Sequence, residues 1–205
     1  MITSLISSLQ LNEYISFDLE TTGLNPYKDK ITEIALCRFI DGRITDQYTT
    51  LVNPGIPIPS NIIEITGITD GMVIDAPYIK DILPDIIEFI GDTPLIAHNI
   101  DFDYRFVSQN ISLTDISLPD LSLYDTLSLA RSFIYFHNSF SLGSLCDYYG
   151  IKIENAHRAG ADALCTGEAF LYLIQEVSSR PLTLIQRIEN VISNSQVYNH
   201  KLFSN

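Results

Sequence analysis

Three short clusters of side chains hold the chemistry this sequence could perform. In the first, Ile15, Phe17 and Leu19 alternate with Ser16, Asp18 and Glu20. On a strand that alternation sends the Asp18 and Glu20 carboxylates out of one face, close enough to share a hard divalent cation through oxygen ligands. Paired acids on a strand also suit a solvated surface. Here, however, the strand is otherwise apolar, and the small-residue turn Thr21-Thr22-Gly23-Leu24 that follows lets a ligand's backbone come close. The second cluster is His98-Asn99-Ile100-Asp101-Phe102-Asp103. If this is a helix start, Asp101 and Asp103 lie about 200° apart, so only one of them faces a given site. The other suits an N-cap or a solvated first turn. The third cluster is His157-Arg158-Ala159-Gly160-Ala161-Asp162. Within one regular helix His157 and Asp162 would diverge by about 140°, so they converge only if His157 sits in the turn before the helix. An imidazole, with an ordinary pKa near about 6.5, is a usable proton acceptor at neutral pH, and near a helix start it serves equally as a cap or core group.

The elements that must position these clusters follow from hydrophobic periodicity. Tyr14 to Glu20 reads as a half-buried strand and Ile31 to Ile40 as a second one. Asp41-Gly42 is a hairpin signal, and a third strand runs to about Val52. Pro54, Pro57 and Pro59 mark a loop, with Ser60 as N-cap of a short helix through Glu64. Ile79, Ile82, Leu83, Ile86, Ile87 and Ile90 recur at helical spacing, with Pro84 as a kink point. Thr93 to Ala97 is a short strand, Asp101 to Asn110 a helix, and Leu121 to Tyr124 a last strand. Helices then cover Thr126 to Ile134, Leu142 to Gly150 and Ala159 to Val177. A hairpin followed by helices alternating with single strands is an α/β layout around a mixed sheet. Outside it, Ile2, Leu5, Ile6 and Leu9 make a helical stripe, and so do Leu184, Ile185, Ile188, Val191 and Ile192. The expected division is an N-terminal helical extension over 1–12, one domain over 13–178 and a C-terminal helical tail over 179–205.

Composition sets bounds on all of this. Of the 205 residues 46% are hydrophobic and 18% charged, enough apolar material for a sizeable core. No run approaches the roughly 20 apolar residues of a membrane helix, and no secretory pattern opens the chain, so a cytoplasmic location without membrane contact is expected. Cys37, Cys146 and Cys165 have no paired spacing, which favours free buried thiols over disulfides or a sulfur-ligated metal. The net charge of -13 argues at first sight against nucleic-acid partners.

Taken together and in order, the three clusters resemble the DnaQ-like (DEDDh) 3′-to-5′ exonucleases. Supporting segments fall in the same order: Leu51-Val52-Asn53-Pro54-Gly55, Ile65-Thr66-Gly67-Ile68-Thr69-Asp70, Asp125-Thr126-Leu127 and Ser141-Leu142-Gly143-Ser144-Leu145-Cys146. The resemblance spans roughly Glu13 to Val177. It implies a ribonuclease H-like fold, a central mixed five-stranded sheet flanked by helices, and two Mg²⁺ or Mn²⁺ ions. Asp18 would bridge both ions, Glu20 and Asp162 would hold the first, Asp103 would support the second, and His157 would be the general base. Asp103, the residue after Phe102, matches the family position; Asp101 does not. Thr21 and Leu24 match a segment that lies along the terminal nucleotide, with Leu24 as a wedge against its base. Thr66 stands where relatives commonly carry a His that contacts that nucleotide, and Ile100 replaces a usual small residue.

The implied reaction is metal-dependent hydrolysis at the 3′ end of single-stranded nucleic acid, DNA favoured, releasing nucleoside 5′-monophosphates. Alternatives are a proofreading subunit docked on a polymerase or other protein through the C-terminal tail, an RNA-trimming enzyme, and a nucleic-acid-binding module without activity. Two divalent ions would reduce the charge of -13 only to about -9. The expected binding is therefore local, at one strand end, through the ions and basic residues such as Arg105, Arg131 and Arg158.

Overall fold

Asp41 and Gly42 both take positive φ, 50° and 74°, and so close the expected two-residue hairpin. They join β2 (Ile31–Ile40) to β3 (Arg43–Leu51), with Ile40 paired to Arg43. The computed structural model describes residues 12–134, 139–181 and 183. Both terminal helical stripes, and with them the tail expected to dock a partner, lie outside the described residues apart from their inner ends. β1 (Glu13–Thr21) pairs antiparallel with β2 on one side and parallel with β4 (Leu95–Ala97) on the other; β5 (Leu123–Asp125) lies parallel beyond β4. The result is one mixed five-stranded sheet in the order β3-β2-β1-β4-β5.

Helices cover both faces. In chain order they are α1 (Ser60–Thr66), α2 (Asp70–Val73), α3 (Ile79–Ile90), α4 (Ile100–Ile111), α5 (Thr126–Phe133), α6 (Leu142–Tyr149) and α7 (Ala159–Ser178). Ile15, Phe17 and Leu19 of β1 join the core built with α3 and α4. Tyr14 points the other way, into the core built with α5, α6 and α7. β1 is thus buried on both faces over most of its length, which corrects the half-buried expectation. The reason is α7: Tyr14 Oη donates to the Gly167 carbonyl at 3.0 Å and Ser16 Oγ to the Ala163 carbonyl at 2.7 Å. The Tyr14 and Ser16 hydroxyls of that face are satisfied by helix backbone instead of water.

Local details also differ from expectation. Pro59 occupies the N-cap of α1 and Ser60 is its first helical residue. The single turn α2 was not anticipated, because four residues carry no periodicity to read. Pro84 sits inside α3 without ending it. The three cysteines are free and buried, and the Cys165 thiol donates to the Lys152 carbonyl at 3.9 Å. Burial pushes the Cys37 thiol up to about 12.

Candidate active site

The close seating of α7 on β1 places the acids. Two strand residues advance about 6.6 Å and four helix residues about 6.0 Å, so a strand and an antiparallel helix keep step over several rungs. Tyr14 meets Gly167 and Ser16 meets Ala163. The next rung sets Asp18 against the first turn of α7, which carries Asp162. Gly167 permits this approach: a Cβ there would overlap the Phe39 ring and Ser16 Oγ. One carboxylate oxygen from each of Asp18, Glu20 and Asp162 can be chosen so that all three lie within 4.8 Å of one another. These hard oxygen donors, converging from two elements, fit a divalent cation such as Mg²⁺ or Mn²⁺.

The electrostatics agree with that fit. Burial, and after it the charges of Asp103, Glu20, Asp162 and Glu33, raise the Asp18 carboxyl well above the usual carboxylate range. Glu20 is pushed up to about 7 by burial and by Asp162 and Glu33, with Arg158 opposing. Asp162 is raised by burial, partly offset by the His157 N–H and ring. Several acids that cannot all ionise comfortably together lack a positive charge, which a bound cation would provide.

Asp103 comes to the site from α4. The buried residues of that helix are Ile100, Asp103, Phe106, Val107 and Ile111, a single stripe, and Asp103 lies on it. Asp101 lies off the stripe. Asp103 is 3% exposed, its Oδ1 accepts the Leu19 N–H at 3.1 Å, and burial again raises its carboxyl. It stands beside the Asp18, Glu20 and Asp162 triad and outside it. The helix start is braced from β5: Asp125 Oδ1 accepts the N–H groups of Asn99 at 2.7 Å and Ile100 at 3.4 Å while Asp125 also caps α5. His98 is held by Thr126 Oγ1 and the Phe140 carbonyl, both at 2.9 Å, and burial lowers its pKa.

His157 lies in the turn before α7, exposed, at φ 64°, and its backbone N–H donates to Asp162 Oδ2 at 3.2 Å. That is the placement required for the two residues to converge. Sequence reasoning missed Glu33. Glu33 is 2% exposed and directly opposite Glu20 in the β1–β2 register. The signal was there, since it is the single acid in the apolar strand Ile31–Ile40. Its oxygens receive Arg158 Nη2 at 2.6 Å, Arg158 Nε at 3.0 Å and the Ala159 N–H at 2.9 Å. Arg158, expected to help hold a strand end, is therefore committed to a buried carboxylate, while Arg105 and Arg131 are exposed.

The other expected contacts divide the same way. Leu24 is 83% exposed at the tip of the turn after β1, so it is not a core leucine. Gly23 beside it has no room for a Cβ against the Asp29 carboxylate. Thr21 is buried and its hydroxyl donates to the Gly23 carbonyl at 2.6 Å, which shapes the turn. Thr66 is also buried; its hydroxyl donates to the Ile62 carbonyl at 3.0 Å and accepts the Ile68 N–H at 3.1 Å. Both bonds are local and close the end of α1.

Comparison with known proteins agrees with this geometry. The family described as exonuclease (RNase_T) matches residues 15–170. A DNA polymerase III PolC-type protein of Caldanaerobacter subterraneus subsp. tengcongensis is 34% identical over 190 residues, 93% of this chain and 14% of the polymerase. The chain thus spans about one seventh of that relative's length. Exonuclease X, solved in complex with 5′ overhanging duplex DNA, superposes with a TM-score of 0.66 at 27% identity, covering 85% of this chain and 98% of the other. The nuclease domain of 3′hExo, a DEDDh family member bound to rAMP, shares the fold with a TM-score of 0.69 at 17% identity, covering 80% and 92%. With a mixed sheet of ribonuclease H-like form and the acids converging at one end of it, the chain belongs to the exonuclease (RNase_T) family and is DnaQ-like.

Proposed function

We propose that this domain, residues 13–178, removes nucleoside 5′-monophosphates from the 3′ end of single-stranded nucleic acid, DNA favoured, in a reaction that requires two divalent ions. The observation that carries this reading is the convergence of the Asp18, Glu20 and Asp162 oxygens within 4.8 Å at the junction of β1 and α7. Asp18 would touch both ions, Glu20 and Asp162 the first, and Asp103 the second, from its buried place on α4. Bound there, the ions would supply Lewis acidity toward the attacking and leaving oxygens of the phosphodiester and a nucleophile at neutral pH.

The chain's own residues do the rest. His157, exposed beside Asp162, accepts the proton of the attacking water, a contribution of about 10²–10⁴-fold. Leu24 projects as an apolar surface on which a terminal base can lie. Arg105 and Arg131, exposed on an acidic protein, add local positive charge for a strand end. Purified protein incubated with 3′-labelled single strands tests the reading. Mononucleotides should appear with Mg²⁺ or Mn²⁺ and vanish with EDTA. Absence of mononucleotides with either metal, on DNA and RNA alike, would overturn it.

The polymerase relative supports a second reading, proofreading, in which the same site trims the primer strand for a polymerase. Its test is selective removal of a mismatched 3′ nucleotide during extension by an added polymerase. Equal removal of matched and mismatched ends would count against it.

A further inference from the structure

Five carboxylates crowd the end of the sheet, and one of them is arranged unlike the others. Glu33 faces Glu20 across the β1–β2 ladder, yet its two oxygens already receive three donors, two from the Arg158 guanidinium and one from the Ala159 backbone. Like Asp103, it stands outside the three acids whose oxygens lie within 4.8 Å of one another, and unlike Asp103 it is already paired with a guanidinium. The two donor residues are consecutive and directly follow His157. Arg158 is the N-cap of α7 and Ala159 its first residue.

The turn before them has few other anchors. Glu154, Asn155, Ala156 and His157 are all exposed. Asn155 and His157 take φ of 60° and 64°, backbone conformations that residues with a Cβ avoid unless their surroundings impose them. His157 is held by its N–H to Asp162 and by whatever fixes the residue after it. A planar guanidinium gripped at two points by a buried carboxylate supplies that fixation with defined orientation, not merely charge.

We propose that Glu33 is a positioning residue: by holding Arg158 and the first N–H of α7 it fixes the turn that presents His157 over Asp162, and it takes no ion itself. This rests on the exonuclease reading for its kinetic consequence, but the structural part stands alone. The pair also holds the guanidinium on Glu33, so that its charge reaches Glu20 without a direct ion pair there.

The test uses the full chain with Glu33→Gln, Arg158→Lys and Arg158→Gln. Melting by circular dichroism identifies the folded variants. Glu33→Gln should lower kcat about 10–100-fold on a 3′-labelled single strand in Mn²⁺ with KM within about twofold, as expected for lost orientation. Arg158→Lys, which keeps the charge but not the fork, should fall between wild type and Arg158→Gln. Hydrogen exchange of the 154–159 segment should speed up about tenfold or more, while that of 163–174 stays unchanged. A kcat within twofold of wild type, or unchanged exchange at 154–159, would overturn the proposal. If Glu33→Gln melts below the assay temperature, the two Arg158 variants decide by the same readouts. If the wild type releases no nucleotide, the exonuclease reading fails and exchange alone decides the role of Glu33.

Discussion

The Ser16 hydroxyl on β1 donates to the Ala163 carbonyl on α7 at 2.7 Å, one rung below the acids that the two elements bring together. That bond and the absent side chain of Gly167 set the distance between strand and helix, and so the geometry of the site. Removing the hydroxyl in Ser16→Ala should cost about 1 kcal/mol, leaving the carbonyl with its helical partner. Gly167→Val forces a branched side chain into the Phe39 ring and should cost about 1–3 kcal/mol or more. Urea unfolding checks both. The valine variant should also lose Mn²⁺ affinity by calorimetry, because α7 must lift away from β1; full stability in that variant would show that the seating is looser than described.

Asp101 and Asp103 stand two residues apart on α4, and Asp103 shares its buried stripe while Asp101 does not. Asp18→Ala and Asp103→Ala should each lower kcat by about 10²–10³-fold or more. Asp101→Ala should stay within about twofold. Equal losses at Asp101 and Asp103 would place the wrong face of α4 at the site.

The raised acids make a sign-definite prediction for the metal-free protein. Glu20 is lifted from an ordinary carboxylate value to about 7, and Asp18, Asp103 and Asp162 are lifted as well, each chiefly by burial. In this range the folded state holds more protons than the unfolded chain, so stability falls as pH rises. For Glu20 the contribution is complete below about pH 4.5 and is lost as pH passes about 7. In EDTA the melting temperature should therefore drop between pH 5 and pH 8. Mg²⁺ or Mn²⁺ should restore it, and more at pH 8 than at pH 5, because ions compete with protons for the same oxygens. A metal-free melting temperature that climbs across that interval would contradict the burial of these groups.

Leu24 gives the opposite kind of prediction. A leucine 83% exposed contributes little to folding, so Leu24→Ala should change stability by less than about 0.5 kcal/mol. On a single-stranded oligonucleotide its KM should rise several-fold, with the effect weakened when the terminal nucleotide is abasic and offers nothing to stack on. An unchanged KM on the intact strand would remove Leu24 from the substrate contacts.

Much of this arrangement was legible in the sequence because it depends on local periodicity. The alternation from Ile15 to Glu20 identified β1 and the shared face of its acids, and Asp41-Gly42 gave the hairpin through its need for positive φ. What escaped depends on contacts remote in sequence. The second buried face of β1 is created by α7, more than 140 residues later. Arg158 looked like a phosphate contact by charge, but the buried Glu33 holds it, and a lone acid in an apolar strand does not announce its partner 125 residues on. Which carboxylates stay open to a cation and which one is already paired became visible only when β2 and α7 were brought together.

The central claim is that the Asp18, Glu20 and Asp162 site cuts from the 3′ end. The most direct measurement compares two single strands, one blocked by an inverted nucleotide at its 3′ end and one blocked at its 5′ end, with wild type and Asp18→Asn in Mn²⁺. The account predicts that wild type shortens the 5′-blocked strand stepwise to mononucleotides and spares the 3′-blocked one, and that Asp18→Asn shortens neither. Shortening of the 3′-blocked strand by wild type, or an undiminished rate in Asp18→Asn, would contradict it.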